Sequence, residues 1–184
     1  MTPLPTDTYH RLLFLDRDGV INVDHGYVSS PEDFKFVPGI FDIVKSARAQ
    51  DYGVVVVTNQ SGIGRGYYTE GDFQTLTDWM LGEFAANEAP IDKVFFCPYH
   101  PEAKIDRFRQ SHPWRKPSPG MLLAASEQFQ CNMADSILIG DKETDMAAGR
   151  AAGVGTVLLL GADENIDPKP TAAITNLSEA LTWL

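Results

Sequence analysis

The sequence is poor in cysteine, in basic residues and in long apolar runs. Cys97 and Cys131 are the only two cysteines among 184 residues, too few for a disulfide framework. Acidic residues outnumber Lys and Arg by 25 to 15, a formal net charge of −10, and such a surface repels nucleic-acid phosphates and anionic membranes. No secretion signal or membrane-length apolar run is evident. We therefore expect a soluble cytoplasmic protein whose partner is a small molecule, with no nucleic acid and no membrane involved.

The bulk composition is that of an ordinary globular chain. Hydrophobic residues make up 43% and charged residues 22% of the sequence, a balance that argues against disorder. The length suits one domain with a core of its own, and no internal repeat or long linker interrupts it. We expect a single domain spanning residues 1–184. No sustained heptad pattern points to a dimer helix, so a monomer is the expected state.

Short apolar runs alternate with segments of helical period. Runs rich in Val, Ile, Leu and Phe without polar alternation predict buried strands, and they cover residues 11–15, 54–57, 94–97, 136–139 and 156–160. Helical segments are predicted over residues 39–50, 69–84, from 118 onward, 142–152 and 177–184. The alternation predicts a parallel sheet with helices on both faces. Two long connections, residues 17–38 and 98–117, are typical of substrate or metal loops.

Polar residues collect where the predicted strands end. They are Asp16 and Asp18 after the first strand, Thr58 and Asn59 after the second, Asp141, Lys142 and Asp145 after the fourth, and Arg115 and Lys116 before a helix. The carboxyl ends of parallel strands share one edge, where ligands bind. The Asp18-Gly19 pair is also a signal for a β-hairpin turn with solvated carboxylates, but the agreement of four segments favours one shared site.

Familiar phosphate and calcium motifs do not match these segments. The stretch SGIGRG lacks the glycine spacing of a dinucleotide loop, and no Gly-Lys-Ser/Thr follows it. The stretch DRDGVI is not a calcium hand, because Val20 and Ile21 stand where a ligand and the required glycine belong. Phosphoryl transfer through a covalent aspartate remains the chemistry that the four segments suit.

Four stretches resemble, in order, the motifs of the haloacid dehalogenase (HAD) superfamily of phosphatases. They are FLDRDGVIN, VVVVTNQSGIGRG, RKPSPGM and GDKETDMAAG, from residue 14 to residue 149. Within the superfamily the chain is similar to the heptose-bisphosphate phosphatase group, which serves bacterial surface-polysaccharide synthesis. The histidinol-phosphate phosphatases, which share the motifs but differ around the second loop, are the next most similar group. The resemblance implies an α/β three-layer sandwich with a parallel five-stranded sheet of order 3-2-1-4-5 and no large cap domain.

The resemblance also implies catalytic and metal-binding roles for five residues. Asp16 would be the nucleophile, and Asp18 the general acid and then the general base. Lys116 would supply a fixed positive charge to the transferring phosphoryl group. Mg²⁺ would be held by Asp16, the backbone carbonyl of Asp18, and Asp141, with Lys142 beside the metal and within reach of substrate.

Further residues are implied in phosphate or substrate binding. Thr58, Asn59 and the amides that follow, with Gln60, would hold the phosphoryl oxygens. Arg65 and Arg115 are candidates for the phosphate that is not cleaved. For both arginines a solvated surface position remains the alternative.

The chain departs from the family at a structural zinc site. Relatives commonly bind zinc in the second long loop through a Cys-x-His pair and a Cys-x-Cys pair. Here the same positions read Cys97, Tyr99, His112 and Trp114, and neither Tyr nor Trp suits zinc. Regrouping of Cys97 with the histidines of the loop would still lack an evident fourth ligand. We expect aromatic packing, with Phe108 included, to anchor the loop in place of zinc.

The function implied by the resemblance is a Mg²⁺-dependent phosphomonoesterase. Its substrate would be a small-molecule sugar bisphosphate, heptose 1,7-bisphosphate, cleaved at the 7-phosphate through an aspartyl-phosphate. A histidinol-phosphate or other sugar-phosphate phosphatase is the alternative. A phospho-receiver domain is a rival of another class, but Asp18 beside the phospho-aspartate would shorten the lifetime of its signal. A non-catalytic phosphosugar-binding domain is the third possibility.

Overall fold

The computed structural model describes residues 8–161 and 166–184, and these form one parallel β-sheet with helices on both faces. The strands are β1 Arg11–Leu15, β2 Tyr52–Asn59, β3 Lys93–Cys97, β4 Ile137–Gly140, β5 Thr156–Leu160 and β6 Ala172–Ile174. Their order is β3-β2-β1-β4-β5-β6, and every neighbouring pair is parallel. The predicted order is confirmed for five strands. The expected strand number is corrected from five to six, because three-residue β6 carries too short an apolar pattern to be recognised.

Six α-helices connect and cover the strands within the described ranges. They are α1 Ile40–Ala49, α2 Ser61–Arg65, α3 Glu70–Ala86, α4 Gly120–Phe129, α5 Glu143–Ala152 and α6 Leu177–Ala180. The helix expected over residues 177–184 is shorter than predicted, since a 3₁₀ turn, Leu181–Trp183, follows α6. The long, apolar helix that a membrane crossing would require does not occur among the described residues.

Helix α3 begins where its capping residues predict. The backbone N–H of Asp72 donates to Thr69 Oγ1 at 3.1 Å, and the N–H of Thr69 donates back to Asp72 Oδ2 at 2.8 Å. This reciprocal pair satisfies donors that the first helical turn leaves unpaired. The apolar face that follows is buried at Phe73, Leu76 and Phe84. Local capping and the helical period together therefore fix both the start and the orientation of α3.

The core lies in two layers, one on each face of the sheet. Leu13 and Leu15 of β1 belong to the layer that contains α1, whereas Leu12 and Phe14 belong to the layer that contains α4. Successive side chains of a strand point to opposite faces, so a strand covered on both faces must be apolar at every position. This is why the predicted strands show continuous apolar runs instead of alternation.

The sheet order brings three strand ends together. Strand β1 lies between β2 and β4. Strands β2 and β3 follow on one side of β1, and strands β4, β5 and β6 follow on the other. The strand order reverses at this point, and ligands of open α/β sheets bind outside the carboxyl ends there. The segments after β1, β2 and β4 therefore meet at one edge, and no separate cap domain covers it within the residues described above.

Candidate active site

A cavity of about 320 Å³ opens at the edge where β1, β2 and β4 end. Six of the ten predicted site residues line it, and they are Asp16, Asp18, Asn59, Gln60, Lys116 and Lys142. Thr58 and Asp141 lie directly beside these residues on the ends of β2 and β4, whereas Arg65 and Arg115 do not line the cavity. Four distant segments of the sequence thus converge on one pocket.

Lys116 forms the positive centre of the pocket. Its Nζ lies 2.9 Å from Asp16 Oδ1 and 2.5 Å from Asp145 Oδ1, and it donates to the carbonyl of Val57 at 2.8 Å. Burial by itself lowers the pKa of Lys116, but the charges of Asp145 and Asp16 outweigh burial and raise it. The ammonium is therefore a fixed charge and not a proton donor at neutral pH.

Asn59 holds the backbone of Lys116 in place. The side-chain Nδ2 of Asn59 donates to the carbonyl of Lys116 at 3.0 Å, and Asn59 Oδ1 accepts from the N–H of Lys116 at 3.1 Å. Both ends of this carboxamide are thus used by one residue's backbone. The predicted contact of Asn59 with phosphate stays a prediction, and the contact that the structure contains is with Lys116.

Asp145 is a site residue to which the sequence assigned no role. It is fully buried at the start of α5, and its Oδ2 accepts from the N–H of Lys142 at 3.2 Å. A Cβ on Gly140 would lie 2.2 Å from the Cβ of Asp145, so the glycine at the end of β4 makes room for it. The signal was present, because a residue in the first turn of a helix points back toward the preceding strand end.

Three carboxylates form a cluster that fits a hard cation. Oxygen atoms of Asp16, Asp141 and Asp145 lie within 4.8 Å of one another, and Asp141 Oδ1 is buried without a hydrogen-bond partner. Burial, and next the charge of Asp16, raise the pKa of Asp141 to about 7. Burial also raises the pKa of Asp16, although Lys116 opposes this. A divalent cation with oxygen ligands, such as Mg²⁺, would relieve this surplus of negative charge.

Gly19 lies directly against the carboxylate of Asp141. Its φ is +97°, and a Cβ there would be 2.1 Å from Asp141 Oδ2. A tight turn is present, since the N–H of Gly19 donates to the carbonyl of Asn22 at 2.7 Å. It does not belong to a β-hairpin, because β1 pairs in parallel with β2 and β4. The glycine is needed for close approach between two site segments.

Asp18 is held by several side-chain donors. Arg17 Nη2 lies 2.8 Å from Asp18 Oδ1, Asn22 Nδ2 donates to the same oxygen at 3.1 Å, and Gln60 Nε2 donates to Oδ2 at 2.9 Å. Arg17 is itself buried and also donates to the carbonyl of Val28 at 2.8 Å. Neither Arg17 nor Asn22 was predicted, because their partners are identified only in three dimensions.

Lys142 links the first long loop to the carboxylate cluster. Its Nζ lies 3.0 Å from Asp24 Oδ2 and 3.5 Å from Asp141 Oδ2. The side chain is half exposed, so each ion pair contributes little to stability. It lies next to Asp141, one of the predicted metal ligands, and its role beside the metal stays a prediction.

Arg65 and Arg115 lie outside the cavity lining, and each contacts a residue of the second long loop. Arg115 Nη1 donates to the carbonyl of Tyr99 at 3.3 Å, and Arg65 Nη2 lies 3.3 Å from His100 Nε2. Burial lowers the pKa of Arg115, and the charge of Arg65 lowers it further. The carboxylate of Glu102 is 3.8 Å from Arg65 and mostly exposed, so it offsets the charge of Arg65 weakly. Guanidinium groups with little compensation attract anions.

The second long loop contains an aromatic stack at the positions where the family resemblance implies zinc ligands. The rings of Tyr99 and His112 are parallel to within 12° at 4.2 Å, and Phe108 and Trp114 lie edge-on beside them. His112 Nδ1 accepts from the N–H of Trp114 at 3.1 Å, and burial raises the pKa of the Cys97 thiol. Within the described residues, the carboxylate cluster is the one group with metal-ligand geometry. Tyr99 and Trp114 are not zinc ligands, and the expectation that this loop is anchored without zinc stays a prediction.

Comparison with known proteins identifies the family. A family model described as HAD-hydrolase-like matches residues 113–180. Over 164 residues the chain is 54% identical to D-glycero-alpha-D-manno-heptose-1,7-bisphosphate 7-phosphatase of Burkholderia mallei, covering 89% of this chain and 86% of that protein. The chain belongs to the HAD-like phosphatases. This HAD-like phosphatase is also 46% identical over 157 residues to D-glycero-beta-D-manno-heptose-1,7-bisphosphate 7-phosphatase of Escherichia coli K12, covering 85% of this chain and 82% of that protein.

A solved structure with a similar fold contains both magnesium and phosphate. D,D-heptose 1,7-bisphosphate phosphatase from B. bronchiseptica, complexed with magnesium and phosphate, matches the HAD-like phosphatase with a TM-score of 0.82 and 27% identity. The match covers 94% of this chain and 97% of that one. Magnesium is therefore a metal of this family, and the carboxylate cluster is the place among the described residues where it fits.

Proposed function

We propose that this HAD-like phosphatase removes the 7-phosphate of D-glycero-D-manno-heptose 1,7-bisphosphate through an aspartyl-phosphate on Asp16. The observation that carries the proposal is the buried cluster in which Lys116 contacts Asp16 and Asp145 beside Asp141. The cluster supplies the charges that phosphoryl transfer needs. The substrate follows from relatives that are 43–54% identical and carry this activity in their names.

Asp16 is suited to attack phosphorus through its Oδ2 atom. Its Oδ1 atom is held by Lys116 at 2.9 Å and by the N–H of Arg17 at 2.8 Å. These two contacts fix the carboxylate plane and leave Oδ2 for bond formation. As the Oδ2–phosphorus bond forms, the bond from phosphorus to the sugar oxygen breaks, and Asp18 donates its proton to the leaving alkoxide. Water then attacks phosphorus and gives its proton to Asp18, the bond between phosphorus and Asp16 Oδ2 breaks, and inorganic phosphate and the free Asp16 carboxylate are released.

Mg²⁺ would be held by Asp16, Asp141 and the backbone carbonyl of Asp18. When bound, it would offset the repulsion between the attacking carboxylate and the phosphate dianion. Lys116 fixes a second positive charge next to Asp16, at 2.9 Å. Thr58 is fully buried at the end of β2, and we propose that its hydroxyl binds a phosphoryl oxygen.

Arg65 and Arg115 are proposed to bind the phosphate that is not cleaved. The charge of Arg65, which helps to lower the pKa of Arg115, and the weak compensation of Arg65 by Glu102 support this role. Replacing Arg115 by Ala should raise KM about 10-fold or more for the bisphosphate, because a hydrogen bond to a charged group is lost. KM for a heptose 7-monophosphate, which lacks that phosphate, should not change. A similar rise of KM for both substrates would remove Arg115 from this role.

The substrate proposal is tested by a panel of phosphate esters with Mg²⁺. The panel contains both anomers of heptose 1,7-bisphosphate, since relatives are named for each, together with histidinol phosphate and common sugar phosphates. A heptose bisphosphate should give by far the highest kcat/KM, and EDTA should suppress all turnover. Equal kcat/KM for histidinol phosphate would point instead to a generalist phosphatase.

A separate variant tests the assignment of Asp16 as the nucleophile. Asp16→Asn keeps the size of the side chain and removes the nucleophile, so turnover should vanish while the circular dichroism spectrum stays unchanged. Residual hydrolysis at a rate near that of the wild type would reject Asp16 as the nucleophile.

We infer that the enzyme acts as a monomer with one catalytic domain. Every group in the proposed mechanism comes from a single chain, and the described residues share one sheet. Sedimentation at the concentration of the assay tests the inference. A dimer whose dissociation abolishes turnover would contradict it.

A further inference from the structure

Gln60 lies between two groups of the proposed mechanism. It follows β2 directly, and its side chain is buried at 1% exposure. Its Nε2 donates to Asp18 Oδ2 at 2.9 Å and to Thr58 Oγ1 at 2.8 Å. A primary amide has two N–H hydrogens, so both are used by these two acceptors. The group then has no N–H hydrogen left with which to bind a substrate phosphate.

Tyr68 determines which way the Gln60 amide faces. Its hydroxyl donates to Gln60 Oε1 at 2.6 Å. Burial raises the pKa of Tyr68, so the phenol keeps its proton and remains a donor. If the amide were rotated by half a turn, Oε1 would face the carboxylate of Asp18 and the N–H₂ group would face the Tyr68 hydroxyl. Only the observed orientation pairs each donor with an acceptor.

The Tyr68 ring fits against α2 because position 62 of that helix is a glycine. A Cβ on Gly62 would lie 2.3 Å from the Tyr68 ring at Cε1. Any larger residue at position 62 would displace the ring and with it the donor to Gln60. Gly62 is thus part of the same arrangement, in the first turn after Gln60.

These contacts have consequences for both acceptors. Thr58 Oγ1 accepts from Gln60, so the single hydroxyl hydrogen of Thr58 must point to another acceptor. Asp18 accepts hydrogen bonds from Arg17, in the segment after β1, and from Gln60, in the segment after β2. Gln60 therefore sets the direction of a hydroxyl that would meet the phosphoryl group and of a carboxyl that would protonate the leaving oxygen.

We infer that Gln60 is a positioning residue for Asp18 and Thr58, and that Tyr68 acts through Gln60 by fixing its amide orientation. The inference rests on the proposed phosphatase mechanism, since it needs Asp18 as acid and Thr58 as a phosphoryl ligand. It replaces the direct role in phosphate binding that was expected of Gln60.

Single and double variants test whether Tyr68 acts through Gln60. Gln60→Ala removes the amide, and kcat/KM for heptose bisphosphate should fall about 100-fold, at the lower end of the range for general acid–base catalysis. Tyr68→Phe removes one hydrogen bond, and the fall should be about 10-fold. In the double variant, Tyr68→Phe should add nothing to Gln60→Ala, because its route of action is already lost. Losses that multiply would show that Tyr68 acts independently and would overturn the inference.

An isosteric exchange with a matched control separates donor loss from volume loss. Gln60→Glu keeps the shape but turns both N–H donors into an acceptor facing Asp18, so kcat/KM should fall at least as far as in Gln60→Ala. Gln74→Glu is the control, because Gln74 Nε2 also donates to a carboxylate, Asp78 Oδ1 at 2.8 Å, on the exposed face of α3. The control should keep wild-type kcat/KM. Equal values for both variants would refute the role of Gln60.

The leaving group supplies a readout that a structural role would not change. A p-nitrophenolate leaves without a proton, so kcat/KM for p-nitrophenyl phosphate should fall about 10-fold less in Gln60→Ala than kcat/KM for the sugar phosphate. Equal losses on both esters would leave Gln60 as a structural residue only. If the wild-type enzyme does not hydrolyse heptose bisphosphate, the proposed substrate is refuted instead of the role of Gln60. The variant cycle would then be measured on the best ester of the panel.

Discussion

At the scale of single residues, the site depends on side chains that compensate one another's charge. Lys116 is shared by Asp16 and Asp145, and Asp141 is left with a buried oxygen that no donor contacts among the described residues. Removing one member of a buried charged cluster affects all the others, since an unpaired buried charge is costly. Two residues to which the motifs gave no role, Asp145 and Gly19, give the sharpest tests.

Asp145→Asn should weaken metal activation without unfolding the protein. The exchange removes one of the three carboxylates and one of two partners of Lys116. The Mg²⁺ concentration for half-maximal activity should rise about 10-fold or more, as loss of a supporting carboxylate does at metal sites. Asp78→Asn, on the exposed face of α3, serves as the control. An unchanged Mg²⁺ requirement in Asp145→Asn would remove Asp145 from the metal cluster.

Gly19→Ala should abolish activity by displacing Asp141. The new Cβ would lie 2.1 Å from Asp141 Oδ2, and the backbone has φ +97°. Gly153 has φ +79°, and a Cβ added there would meet no atom within 4 Å, so Gly153→Ala reports the backbone strain alone, about 1 kcal/mol. Both variants should lose stability in urea, and only Gly19→Ala should lose turnover. Retained activity in Gly19→Ala would mean that the contact with Asp141 is dispensable.

At the scale of elements, the two long loops contribute side chains to the site and its surroundings. The loop after β1 contributes Arg17 and Asn22 to the binding of Asp18, and the loop after β3 presents Arg115. The second loop is anchored by ring stacking between Tyr99 and His112. An aromatic contact of this kind is worth about 0.5–1.5 kcal/mol beyond burial, and it does not depend on a metal.

The stack predicts a loop that is insensitive to chelators. A strong zinc chelator should leave the melting temperature of the Mg²⁺-loaded protein unchanged. Tyr99→Leu should lower the free energy of unfolding by about 1 kcal/mol, whereas Tyr99→Phe, which keeps the ring, should not. Stoichiometric zinc in the purified protein, with loss of stability on its removal, would contradict this account.

At the scale of the whole molecule, the net charge is negative, and negative charge is concentrated at the site. The formal net charge is −10, and three carboxylates cluster at the edge where the substrate phosphate would bind. An anionic substrate is therefore attracted only by local cations, among them Lys116, Arg65 and Arg115 with the bound metal. Metal binding and the stability of the fold should be linked for the same reason.

Mg²⁺ should stabilise the whole fold, since it binds the folded cluster and not the unfolded chain. At a concentration about 100 times Kd the gain is about 2.7 kcal/mol, which a thermal melt resolves easily. Asp141→Asn should show a much smaller rise in Tm with Mg²⁺, and a potassium salt at equal ionic strength controls for screening. An equal rise in wild type and variant would place the stabilising ion elsewhere.

The sequence alone predicted the layers and most of the site, for local reasons. Apolar runs marked five strands, capping at Thr69 marked the start of α3, and sheet topology placed the motif residues at one edge. Strand β6 was not predicted, because three residues carry almost no periodic signal. The family motifs supplied the order of strands, which composition could not.

Only the tertiary structure decided which side chains meet. The contact of Gly19 with Asp141, the sharing of Lys116 between Asp16 and Asp145, and the hydrogen bond from Gln60 to Asp18 join segments far apart in the chain. Spacing in sequence specifies the element on which a residue lies and the direction in which it points. Partners are set by packing between elements, because hydrogen bonds and charges act over a few ångströms in space regardless of separation along the chain.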